Sequence, residues 1–142
     1  MKPISIKMYI FAIVLAIASS CTRNNGDIGE LFGLWRVTAI EVDGVNRSDY
    51  NGTIYFAFQS SVFSQKLMNE ETHWADDFFA SWKYQGKDII IDFSDKRYTP
   101  IAITGMQQGQ NLVTVESITG RKLILSYVCP DGEKYVYYLV KW

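Results

Sequence analysis

Leu31-Phe32-Gly33-Leu34-Trp35-Arg36-Val37-Thr38-Ala39-Ile40-Glu41-Val42-Asp43-Gly44 is the stretch on which the fold turns. A glycine two residues before a tryptophan opens an alternating strand. Glycine lets the chain turn sharply without a Cβ clash, and the indole then lies across one end of a small barrel as an apolar plug. Gly33 and Trp35 are therefore the expected barrel-closing residues. From Leu34 to Asp43 the period is two, placing Trp35, Val37 and Ala39 on one face and Arg36, Thr38 and Ile40 on the other. Gly44 ends the strand.

Toward the C-terminus the alternation recurs. Thr53 to Gln59 puts Ile54, Phe56 and Phe58 on one face, and Ser60-Ser61 turns the chain into Val62–Met68. Asn69 to Asp77 is acidic and loop-like. Phe78–Tyr84 is a strand with Phe78, Ala80, Trp82 and Tyr84 on one face, and Gln85-Gly86-Lys87 leads into Asp88–Phe93, where Ile89, Ile91 and Phe93 face inward. Residues 94–112 break the rhythm with Pro100, Gly105 and Gly109. They read as a lid over one barrel mouth, with Ile101, Ala102, Ile103 and Met106 as its apolar patch. Strands resume over Val113–Thr119 and Lys122–Val128, and Cys129-Pro130-Asp131-Gly132 is a hairpin signal before the final strand, Glu133–Trp142. Eight antiparallel strands predict an all-β, up-and-down barrel, since closure removes the exposed edges that invite aggregation. The alternative is a sandwich.

Upstream, Lys2 and Lys7, the uncharged run Met8–Ala18 and the small residues Ala18-Ser19-Ser20 form a signal peptide over residues 1–20. The apolar run is too short for a resident helix, which needs about 20 apolar residues. Ala18-Ser19-Ser20-Cys21 resembles the lipobox of bacterial lipoproteins, which makes Cys21 the lipidation site, residues 21–30 a tether and residues 31–142 the barrel domain. Lipid would then hold the chain to a membrane. Acylation of Cys21 leaves Cys129 as the remaining thiol, at a strand end and expected to be buried because no neighbouring base lowers its pKa.

The 142 residues, 48% hydrophobic and 15% aromatic, suffice for one core. The formal net charge of −1 becomes more negative once Lys2 and Lys7 are removed, which excludes a nucleic-acid partner.

Gly33-Leu34-Trp35 resembles the Gly-x-Trp opening of lipocalins and their calycin relatives, and the chain from Leu31 to Trp142 is similar to bacterial lipocalin-like lipoproteins. In lipocalins an arginine from the last strand often packs over the tryptophan. That resemblance makes Arg121 and Lys141 the candidates for the role here.

Catalytic and metal chemistry find little support. His73, in Glu70-Glu71-Thr72-His73-Trp74-Ala75-Asp76-Asp77, lacks the ordered oxygen spacing of a calcium loop and reads as part of a solvated acidic loop. Ser64, Ser81, Ser117 and Ser126 occupy no nucleophile elbow, and no Gly-Lys-Ser/Thr follows Gly105 or Gly109. No catalytic residue, metal ligand or cofactor is expected.

Aromatic side chains are the remaining lead. Phe56, Phe58, Phe78, Trp82, Tyr84 and Phe93, with Tyr127, Tyr135 and Tyr137 across the barrel, are the candidate ligand-binding residues. They either line an apolar cavity with phenolic hydroxyls or fill a solid barrel. Two functions follow as expectations. The first is a lipid-anchored envelope protein that holds a small apolar or amphipathic ligand without catalysis. The second is a structural lipoprotein whose packed barrel docks an envelope protein through residues 69–77 and 94–109. Thr22-Arg23 after the lipid cysteine, with no aspartate next to it, resembles the sorting pattern for the outer membrane, facing the periplasm.

Overall fold

The computed structural model describes residues 29–142. The predicted signal peptide, Cys21 and the tether up to residue 28 lie outside the described residues. Nine strands follow in order: β1 (Gly33–Val42), β2 (Val45–Asn46), β3 (Ile54–Gln59), β4 (Val62–Met68), β5 (Ala75–Gln85), β6 (Asp88–Phe93), β7 (Gly109–Thr119), β8 (Lys122–Val128) and β9 (Lys134–Lys141). Each pairs antiparallel with the next along the wall, and β1 also pairs with β9, closing an eight-stranded barrel to which the two-residue β2 is a small appendage. The sandwich alternative is excluded.

Closure places the connections at two ends. Residues 29–33, Ser60-Ser61, Gln85–Lys87, Thr119–Arg121 and Trp142 form the closed end. The connections after β2, β4, β6 and β8 surround the mouth. Inside, Trp35, Val37, Ile40, Phe56, Phe58, Phe63, Ile89, Ile91, Phe93, Val113, Leu125 and Tyr137 are almost fully buried.

Strand one departs from strict alternation. The β1–β9 register shifts between Val37 and Ala39, so Ile40 faces Tyr137 inside the barrel and Ala39 faces Tyr138 outside. A bulge at Thr38 accounts for this, because one extra residue exchanges the two faces beyond it. Tyr50 fills the gap left beside the bulge. Direct pairing of β1 with β3 stops at Arg36 and Tyr55. The Tyr50 hydroxyl continues it by donating to the Val37 carbonyl at 2.5 Å and accepting the Ile54 amide at 3.1 Å.

The acidic loop is shorter than predicted, because β5 begins at Ala75 and its Asp77 forms an ion pair with Lys66 at 2.5 Å. The irregular segment also ends early, since residues 109–112 already belong to β7. Its remainder contains a 3-10 turn, Ala102–Thr104, closed by Gly105 at φ 72°.

Candidate functional site

The interior is divided into two levels. The lower level is filled by rings. Phe58 meets Trp82 at 5.1 Å and Phe63 at 5.0 Å, Phe63 meets Phe56 at 5.3 Å and Phe93 at 6.1 Å, and Phe56 meets Tyr137 at 5.5 Å. Most of these pairs are edge-to-face, the arrangement aromatic quadrupoles prefer. At the bottom Trp35 is 1% exposed; its indole N–H donates to the Leu31 carbonyl at 2.8 Å, and the Lys141 ammonium stands 4.5 Å from its ring centroid. Of the two cations expected over this ring, Lys141 takes the place. Arg121 instead donates to the Lys141 carbonyl at 2.9 Å.

The upper level holds polar side chains. Gln65, Thr104 and Asn111 are fully buried, and Tyr137 with them. Gln65 sits opposite Phe78 on β5 and Phe56 on β3, and Asn111 sits opposite Ile91 on β6, so both project into the barrel. They grip the segment over the mouth. The Gln65 carbonyl oxygen accepts the Ile101 amide at 2.7 Å, and its amide nitrogen approaches Thr104 Oγ1 at 3.1 Å and the Met106 sulfur at 3.3 Å. Asn111 accepts the Gln107 amide at 2.8 Å and donates to the Gln107 carbonyl at 2.9 Å. The Tyr137 hydroxyl donates to the Thr104 carbonyl at 2.5 Å. Gly105 lies against the Tyr135 ring so closely that a Cβ there would overlap it. Residues 100–108 are thus a stopper seated in the mouth. Burial pushes the Tyr137 hydroxyl well above the ordinary phenol range, which keeps it a donor.

Of the residues expected to line the interior, Phe56, Phe58, Trp82, Phe93, Tyr127, Tyr135 and Tyr137 are buried, and Phe78 is half-buried against the core. Tyr84 is not inside: it is 44% exposed. It points to the predicted face, but β4 begins opposite Ser81, so the end of β5 projects past its neighbour and Tyr84 stands over the rim. There it packs on Trp82 at 5.2 Å. The Trp82 indole N–H is buried with no acceptor among the described residues. Two clefts, of about 560 and 570 Å³, lie along the outer wall of β5 and β6 rather than within the barrel. The polar residues Gln65, Thr104 and Asn111 escaped sequence reasoning. For Gln65 and Asn111 the only signal was a polar residue at an inward strand position, and Thr104, in the 3-10 turn, had none.

His73 is exposed at the mouth, in the turn between β4 and β5, with φ 60°. The described donor group compact enough for a metal ion is instead Cys129, Asp131 and Glu133. Cys129 is buried, its thiol donates to the Asp131 carboxylate and the Glu133 carbonyl, and burial together with Asp131 pushes its pKa up. A protonated thiol is a poor ligand, and the contacts within the hairpin already satisfy the group. Among the described residues no helix is long and apolar enough to cross a membrane.

Among curated proteins none matches the sequence. A solved lipocalin-like protein from Bacteroides uniformis is 23% identical, with a TM-score of 0.61 over 80% of this chain and 100% of its own. An uncharacterised protein from Bacteroides eggerthii is 20% identical, with a TM-score of 0.59 over 79% of this chain and 99% of its own. At these identities the likeness is one of fold. The family model of the lipocalin-like domain matches residues 14–130. A lipocalin-like barrel is consistent with binding a small hydrophobic ligand, and the chain belongs to the lipocalin-like domain family.

Proposed function

We propose that this protein is a lipid-anchored envelope protein that takes one small amphipathic ligand into the upper level of its barrel, in exchange for the stopper, without catalysis. The observation that supports it most is the way Gln65, Asn111 and Tyr137 are satisfied. All three project from the inner wall, and their partners lie largely on residues 101–107. The stopper presents an amphipathic set, with the Met106 thioether and Thr104 hydroxyl side by side. A guest with an apolar body and one or two polar atoms replaces those contacts at little net loss, because each polar group exchanges one partner for another. Tyr127, Tyr135 and Phe78 border the same level. The lower rings leave the stopper's own volume as the place for the guest.

Anchoring is assigned to acylated Cys21, and residence to the outer membrane facing the periplasm. The signal peptide, small residues and cysteine in that order support the anchor, and Thr22-Arg23 supports the location. Native mass spectrometry of protein purified from envelope extracts tests the ligand assignment. It should show a small co-purifying species in one-to-one ratio. A bare protein mass from every preparation overturns it.

One observation favours a second reading, a packed barrel that docks a protein. Trp74, in the mouth turn, is 79% exposed, and large exposed aromatics are enriched at interfaces. A photo-crosslinking residue at position 74 should then trap one envelope protein in cells. Absence of any adduct removes this reading.

A further inference from the structure

The two ends of the barrel differ in charge. The closed end carries Lys83, Lys87, Arg121, Lys122 and Lys141 against Glu30 and Asp88. The mouth connections and adjoining strand ends are mainly acidic, Glu70, Glu71, Asp76, Asp77, Asp131 and Glu133 among them, with Arg47, Lys66, Lys96, Arg97 and Lys134 as their cations. Apolar surface gathers at the basic end too. Phe32 is 40% exposed, Trp142, set edge-on against Tyr55 at 5.4 Å, 68%, and Tyr84 44%.

Hydrogen bonds tie part of this end together. Arg121 donates to the Lys141 carbonyl, the Lys141 ammonium to the Phe32 carbonyl, and the Trp142 amide to the Leu34 carbonyl. Leu31, Tyr84 and Lys87 border a single crevice beside it.

We propose that the closed end is a membrane-docking face that seats on an anionic lipid headgroup surface and holds the mouth away from the bilayer. The proposal rests on the reading of Cys21 as the anchor. The described chain starts at this end, with Gly29 bonded to Phe32, so residues 22–28 connect the lipid to the basic face. A chain of that length reaches at most about 30 Å even when fully extended. Tethering makes docking intramolecular, so weak attraction suffices. Each Lys or Arg near an anionic surface strengthens association about fivefold, and the effect fades within a Debye length of about 8 Å at physiological salt. Exposed tryptophan and tyrosine favour the headgroup level, where one edge is apolar and the other wet. The stopper and its ligand exchange would then face the aqueous compartment.

The test uses the mature acylated chain in vesicles of phosphatidylcholine and brominated phosphatidylglycerol, with tryptophan fluorescence as the readout. Quenching should fall with Trp142→Phe, stay with Trp74→Phe, and disappear in the quadruple variant Lys83→Glu, Lys87→Glu, Arg121→Glu, Lys122→Glu. The milder pair Lys87→Gln and Lys122→Gln should weaken it if the quadruple variant does not fold. Quenching equal on brominated phosphatidylcholine alone, quenching that depends on Trp74 instead, or no quenching overturns the proposal. So does a crosslink from position 122 to a protein in place of lipid. Intact mass reports the anchor separately. If Cys21 proves unacylated, the anchor fails by itself and the face is tested by cosedimentation of the mature chain with phosphatidylglycerol vesicles. Binding should then fall about fivefold for each cation removed, and no cosedimentation overturns the docking face as well.

Discussion

Lys141 holds its ammonium 4.5 Å from the centroid of the Trp35 ring while donating to the Phe32 carbonyl, so one cation ties the last strand to the indole at the barrel's closed end. The two residues are register partners across the β1–β9 seam, which makes the contact part of closure itself. Burial, and then the nearby Arg121 guanidinium, push the ammonium below the usual lysine range, yet the carbonyl and the ring hold it in place. Lys141→Met removes a cation–π contact and a charge-assisted hydrogen bond, an expected loss of about 2 kcal/mol in urea unfolding. Lys141→Arg should retain most of that stability. A methionine variant as stable as the wild type contradicts the role.

Tyr50 carries a pH signature. Burial is the main cause of its rise to a pKa of about 12, from an ordinary value of 10.0. A phenol that stays protonated longer when folded gives full stability below the unfolded pKa, and loses it as pH climbs from about 10 through about 12. The melting temperature should therefore fall across that window more steeply in the wild type than in Tyr50→Phe. The variant itself should start about 1–3 kcal/mol less stable, since the Val37 carbonyl and Ile54 amide lose their shared partner. Identical alkaline profiles for the two proteins contradict this assignment.

Gly105→Ala should unseat the stopper. The position combines φ 72° with a Cβ that would overlap the Tyr135 ring, and both push the same segment outward. Fluorescence enhancement of the apolar probe N-phenyl-1-naphthylamine should rise in the variant, while the barrel itself loses about 1–3 kcal/mol for the strained backbone. Unchanged probe fluorescence, with the fold intact, means that the stopper does not control access.

Cys129 should be inert. Its thiol is buried, donates to Asp131 and has its pKa raised, so the thiolate is scarce at neutral pH. Iodoacetamide at pH 8 should modify the protein in denaturant and leave the folded protein unmodified, read by intact mass. Rapid labelling of the folded chain contradicts the burial.

The barrel was legible because period two recurs along most of the wall strands and Gly33 precedes Trp35 by two. Ile40 was misplaced because a bulge leaves no mark in hydrophobic alternation; it needs a partner strand to be seen. Tyr84 followed the correct face but not the correct depth, since depth depends on where β4 begins opposite β5. The stopper was visible as a break in rhythm around Pro100 and Gly105. What grips it was not, because Gln65 and Asn111 resemble any outward polar residue until register turns them inward. Lys141 and Arg121 were equivalent as charges, and only the β1–β9 pairing chose between them.

Amide hydrogen exchange in the presence of palmitate tests ligand-for-stopper exchange most directly. In the free protein the Gly105 amide is bonded to the Ala102 carbonyl and the Gln107 amide to the Asn111 side chain, so both should exchange slowly. Saturating palmitate should speed both amides while leaving that of Val113, deep in β7, protected. Palmitate that fails to bind, or that binds with Gly105 and Gln107 still protected, contradicts a guest that takes the stopper's place.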